Sequence, residues 1–133
     1  MIITHTYQYI FDLKSAVLNS YRALKPGGVL LATVPGICKV SRDGMISRHS
    51  NIEDDNRLCE YWRFTDDVVR RLFEEVFLEE NVAVNTYGSV LAASAFLYGF
   101  ASEELGKKKL DYHDPDYPVL ISVRARRPLE STS

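Results

Sequence analysis

Few side chains in this sequence combine a type and a position that chemistry could use. The histidines are His5, His49 and His113, far apart along the chain. His5 stands between Thr4 and Thr6, directly after the apolar start Met1-Ile2-Ile3, where a strand would end and a loop begin. An imidazole there can accept a proton from a hydroxyl nucleophile. A histidine at a strand end equally serves as a plain hydrogen-bonding anchor. Trp62-Arg63 offers an aromatic face beside a guanidinium fork, suited to lining a ligand pocket or to packing where a helix begins. Cys38 and Cys59 are 21 residues apart with no C-x-x-C, so metal and redox readings find no support and a reduced pair is expected. No metal-ligand cluster, nucleophile elbow or P-loop spacing occurs.

The elements that must position these residues are organised around Leu24 to Gly36, LKPGGVLLATVPG. Pro26 cannot continue a helix and Gly27 or Gly28 can adopt the left-handed conformation that ends one. Val29 to Val34 then form an almost unbroken apolar run, which predicts a strand buried on both faces. Asp12 to Leu24 reads as the helix before it. Asp12 or Ser15 is the cap, and Leu13, Val17, Tyr21 and Leu24 share one face.

After Gly36 comes a polar stretch, residues 37–61, without sustained periodicity, the pattern of a loop or substrate lid. Tyr61-Trp62-Arg63-Phe64-Thr65 leads into a second helix capped by Thr65, with Asp66 and Asp67 in its first turn. Phe64 and Val69 are placed for a hydrophobic staple, and Val69, Leu72, Phe73, Val76 and Phe77 form the buried stripe. Asn81 to Tyr87 alternates as a strand. Ser89 to Leu105 reads as one helix with almost no polar face over its first turns, which the core or a subunit interface must cover. Lys107 to Lys109 reads as a solvated run, Asp111 to Pro118 as turns, and Val119 to Arg126 as a half-exposed antiparallel strand. The tail, 128–133, is expected to be flexible.

Leu24 to Pro35, preceded by Tyr21-Arg22-Ala23, resembles the segment leading into the fifth strand of class I S-adenosylmethionine-dependent methyltransferases. The W-R-F-T of Trp62 to Thr65 is similar to one branch of them. The resemblance spans nearly the whole chain and implies an α/β fold: a partial Rossmann-like sheet of family strands 4-5-7-6, the last antiparallel, with flanking helices. It implies S-adenosylmethionine as cofactor and methyl transfer to an acceptor that the residues do not name. It places Thr4 and Thr6 at the methionine end of the cofactor and His5 as a candidate base. Pro35, Gly36, Trp62 and Arg63 then fall on the acceptor side. The seven glycines contain no G-x-G, so the glycine-rich turn that holds the cofactor in this family has no counterpart here. Such a chain would be incomplete alone, with an open edge on its first strand. The expected partner is a second copy of the chain or another chain that supplies the missing half.

Composition sets the outer bounds. With 133 residues, 46% hydrophobic and 26% charged, the chain has the profile of one globular domain. A net charge of -2 without a basic stripe excludes an electrostatic nucleic-acid footprint. Asn85 to Ser102 is too polar for a membrane span, and Met1-Ile2-Ile3 is too short for a secretory leader, so a cytoplasmic location is expected. Two other readings stay open: a non-catalytic truncated relative acting as an oligomerising or regulatory subunit, and an unrelated small α/β binding module.

Overall fold

A computed structural model describes residues 1–40 and 60–129. The chain runs β1 (Ile2–Thr4), a short 3-10 turn at Tyr7–Tyr9, α1 (Leu13–Ala23), β2 (Val29–Pro35), α2 (Asp66–Phe77) and β3 (Val82–Tyr87). After these come α3 (Val90–Tyr98), α4 (Ser102–Leu105), α5 (Lys107–Leu110) and β4 (Leu120–Arg126). The four strands form one sheet in the order β1-β2-β4-β3. β1 lies parallel to β2, with Ile2 opposite Leu31, and β4 is antiparallel to both β2 and β3. This is the arrangement expected for family strands 4-5-7-6, with the last strand inserted antiparallel beside the fifth. Asp111 to Pro118 carries the chain back to β4 through turns.

Local chemistry explains where the two long helices begin. Asp12 accepts a hydrogen bond from the Ser15 N–H at 3.1 Å and caps α1. The Gly28 N–H then turns back to the Lys25 carbonyl at 2.8 Å, with Gly27 at φ 75°, so the chain passes from α1 to β2 through the five residues Leu24 to Gly28. Thr65 caps α2 from its hydroxyl to the Val68 N–H, and Phe64 and Val69 are both buried in the same cluster, as a staple requires.

Both helices pack on one face of the sheet. Leu30, Ala32 and Val34 of β2 and Ile121, Val123 and Ala125 of β4 meet Val17 and Leu24 of α1 and Val69, Phe73 and Phe77 of α2. Tyr7 and Phe64 close this core at the carboxyl end of the strands. Its aromatics interlock, with Tyr7 edge-on to Phe73 at 5.7 Å and Tyr21 edge-on to Phe77 at 5.1 Å between ring centroids.

The structure corrects two expectations. β2 is not buried on both faces: Leu31 is 45% exposed, because the two long helices share one side and leave the other open. On that open face the register sets Ile2, Leu31, Arg124 and Ala83 in one row and Thr4, Thr33, Ser122 and Asn85 in the next. A shallow depression of about 240 Å³ lies over them. The helix expected from Ser89 to Leu105 is also broken. Gly99 adopts the left-handed conformation (φ 81°), its N–H and that of Phe100 fold back on Phe96 and Ala95, and α3 stops there.

Candidate functional site

β1, β2 and β3 all point the same way, since β4 is antiparallel to β2 and β3 and β1 is parallel to β2. Thr4, Pro35 and Tyr87 therefore end at one side of the sheet, the side where open α/β folds hold ligands. His5 leaves β1 there. Its N–H continues the ladder to the Thr33 carbonyl at 2.9 Å, and its φ of 46° is a left-handed conformation that a non-glycine residue adopts only when its surroundings hold it. The Thr6 hydroxyl donates to the Thr4 carbonyl at 3.0 Å, bracing the same bend, and all three residues are exposed.

Beyond the bend the chain turns inward. Ser20 donates its hydrogen to the Ala16 carbonyl, so the Tyr7 hydroxyl, 2.9 Å from the Ser20 oxygen, donates to it. Burial pushes the Tyr7 hydroxyl up from its usual pKa, and the bond to Ser20 partly offsets that. Pro35 and Gly36 are buried, and their backbone is committed to neighbours: the Pro35 carbonyl accepts from Phe64 at 3.0 Å, and the Gly36 N–H donates to Val119 at 3.0 Å. A Cβ on Gly36 would stand 2.2 Å from the Pro118 carbonyl oxygen, a closeness that only glycine allows. These two residues are fixed at the end of β2 through their main chain.

Arg63 is the hub of the site. One guanidinium nitrogen reaches Glu60 at 2.6 Å and the Lys39 carbonyl at 2.8 Å, while another meets the Trp62 carbonyl. The Glu60 side chain is only 7% exposed, so its charge rests on this pairing. Tyr9 lies against the same carboxylate. Burial first, then the charge and hydrogen bond of Glu60, hold its hydroxyl above the usual pKa. Burial likewise raises the Cys38 thiol, opposed by Arg63 and reinforced by Glu60. Two buried polar atoms here, Gln8 Oε1 and Arg63 Nε, have no hydrogen-bond partner among the described residues.

Trp62 packs rather than reaching outward alone. Its indole N–H donates to the Ile10 carbonyl at 3.0 Å and its ring stacks on Phe11 at 6.0 Å, with Tyr61 edge-on to Phe11 at 5.4 Å. These three aromatics form a partly exposed platform beside Arg63. His113 lies elsewhere, its Nε2 2.8 Å from the Thr86 hydroxyl in a polar cavity of about 530 Å³ at the β3 edge. His49, Cys59 and most of the expected 37–61 lid fall outside the described residues, as do residues 130–133 of the expected tail. Among the described residues no group of three or more His, Cys, Asp or Glu side chains could hold a metal ion, and no helix is long and apolar enough to cross a membrane. Sequence reasoning missed Gln8, Tyr9 and Glu60. Only the E-x-x-R spacing of Glu60 and Arg63 signalled any of this.

No protein-family model and no curated protein sequence matches the chain. Among solved structures it is similar to Haemonchus contortus phospholethanolamine N-methyltransferase 2, solved in complex with phosphomonomethylethanolamine and S-adenosylhomocysteine, with a TM-score of 0.51 at 16% identity. The fold is methyltransferase-like. The likeness covers 96% of this chain and 32% of that protein, so the chain spans about a third of its neighbour's length. Read on that fold, β1 and β2 are adjacent parallel strands and β4 is the inserted antiparallel strand. The methyltransferase-like sheet thus brings Thr4, His5, Thr6, Pro35 and Gly36 to one end. Arg63 and Trp62 are tied there through the bonds from Phe64 to Pro35 and from Trp62 to Ile10.

Proposed function

We propose that this chain forms the acceptor-side half of an S-adenosylmethionine-dependent methyltransferase site, completed by a second copy or a partner chain. The observation that carries this reading is the strand order, a parallel β1–β2 pair with β4 inserted antiparallel between β2 and β3. The fold neighbour's S-adenosylhomocysteine supports the cofactor class. The residues present fit one wall of such a site: the exposed bend at Thr4 to Thr6 is free to meet a ligand, while no G-x-G turn is available for the other wall.

When bound, S-adenosylmethionine would supply an electrophilic methyl group on a sulfonium, passed in line to an acceptor with S-adenosylhomocysteine as the leaving thioether. The chain's part is proximity and alignment. Thr4 and Thr6 fix the bend facing the methionine end. His5, exposed and held in its left-handed conformation, takes the proton that a hydroxyl acceptor gives up as its oxygen bonds to the methyl carbon. Pro35 and Gly36 set the depth of the crevice, and Trp62 with Arg63 flanks the acceptor. The acceptor itself is not specified by these residues.

A second reading, a non-catalytic relative serving as an oligomerising or regulatory subunit, is favoured by the lack of any G-x-G. Calorimetric titration of the chain with S-adenosylhomocysteine separates the two. Binding near micromolar, about -8 kcal/mol, is expected if copies of the chain complete the site. His5→Ala should then leave binding unchanged and lower transfer to a hydroxyl acceptor by about 10²-fold or more. No binding up to millimolar, alone or with co-purifying chains, replaces the first reading with the second.

A further inference from the structure

α3 carries its bulk on the outside. Ala93 and Ala95 are 4% and 5% exposed, whereas Val90, Leu91, Phe96, Leu97 and Tyr98 are 45% to 83% exposed and Phe100, just past the helix, is 54%. A helix serving only its own domain turns its large apolar residues inward and its polar ones out. Here the exposed Val90, Leu91, Ser94, Leu97 and Tyr98 share one face at helical spacing, with small Ser94 at its centre. No charged or histidine side chain occurs from Asn81 to Ser102.

We infer that α3 is a homodimerisation surface, docking antiparallel on α3 of a second copy about a two-fold axis through Ser94. Three observations choose this occupant. The face is symmetric about a small residue, so Val90 and Leu91 of one copy meet Leu97 and Tyr98 of the other while Ser94 lets the helices approach. Its own side chains carry no charge, so two copies meet on it without like-charge repulsion, the lysines of the adjoining α5 lying outside the face itself. Its four large side chains, together with Phe96 and Phe100 flanking them, leave roughly 600 Å² exposed, the greater part of the ~800 Å² that each partner gives a stable interface. This inference does not rest on the methyl-transfer reading. α3 follows β3, the sheet edge opposite β1, so the dimer leaves the β1 edge free for whatever completes the sheet.

Sedimentation equilibrium of the 133-residue chain tests it, together with Leu97→Glu and with Ser94→Cys in a Cys38→Ser, Cys59→Ser background. Expected are a dimer at tens of micromolar, a dissociation constant raised at least 100-fold by Leu97→Glu with unchanged circular dichroism, and a disulfide-linked dimer of the Ser94→Cys variant under mild oxidation. If Leu97→Glu does not fold, the Ser94→Cys cross-link decides. A monomer at several hundred micromolar overturns the inference. So does a dimer that Leu97→Glu leaves intact, or one that cross-links through Ile2→Cys on β1 and not through Ser94→Cys. A monomer that floats with neutral phosphatidylcholine vesicles through this face also overturns it.

Discussion

At the scale of single residues, the site is held by contacts between positions far apart in sequence. Gly36 lies against Pro118, and Arg63 ties Glu60 to Lys39 while Trp62 reaches Ile10. The sequence pattern put Gly36 at the end of a strand, and the family resemblance put it beside a ligand, but neither could show that its missing Cβ is what lets the β4 entry pass. Gly36→Ala should therefore behave as a structural lesion. The clash with the Pro118 carbonyl forces backbone movement worth about 3 kcal/mol, read as a lower denaturation midpoint with an unchanged slope. A Gly36→Ala protein as stable as the parent would mean that the loop before β4 is free to yield. His5, Thr4 and Thr6 were legible because an apolar run giving way to polar residues marks a strand end. Gln8, Tyr9 and Glu60 were not, because nothing local says that a glutamine after the bend will be buried beside a glutamate fifty residues later.

At the scale of elements, the caps and stripes of α1 and α2 were readable because each carries its own signals: Asp12, Thr65 and apolar residues at three- and four-residue intervals. These signals differ in weight. Thr65→Ala removes one capping bond at an exposed helix start and should cost about 1 kcal/mol. Phe73→Ala empties a position 1% exposed, where the ring touches Tyr7 and Phe77, and should cost about 3–5 kcal/mol. Equal losses in chemical denaturation would show that α2 is held by its cap and not by the core. α3 was misread in length for the opposite reason. Apolar residues continue through Phe100 and again at Leu105, so periodicity masked the stop that Gly99 imposes by conformation alone. β2 was misread as buried on both faces because an unbroken apolar run does not reveal that both packing helices choose the same side.

At the scale of the whole molecule, the strands of the sheet are held very differently. β4 is paired on both edges, whereas β1 contributes three residues and among the described residues is paired only with β2. Along β1 the Met1 carbonyl and the His5 N–H point at β2. Since backbone groups alternate along a strand, the N–H groups of Ile2 and Thr4 point away from it, toward the unpaired edge. Amide hydrogen exchange followed by NMR should show this directly. β4 amides are expected to exchange only through global unfolding, and those of Ile2 and Thr4 at least ~100-fold faster through local exposure. Dimerisation through α3 leaves this contrast intact, because β1 lies at the opposite edge. Pairing of a further strand against β1 would abolish it at Ile2 and Thr4 while changing β4 little. Slow exchange of Ile2 and Thr4 in the chain alone would place a partner on β1 already. Fast exchange that slows on adding a candidate partner together with S-adenosylhomocysteine would identify the chain that completes the sheet.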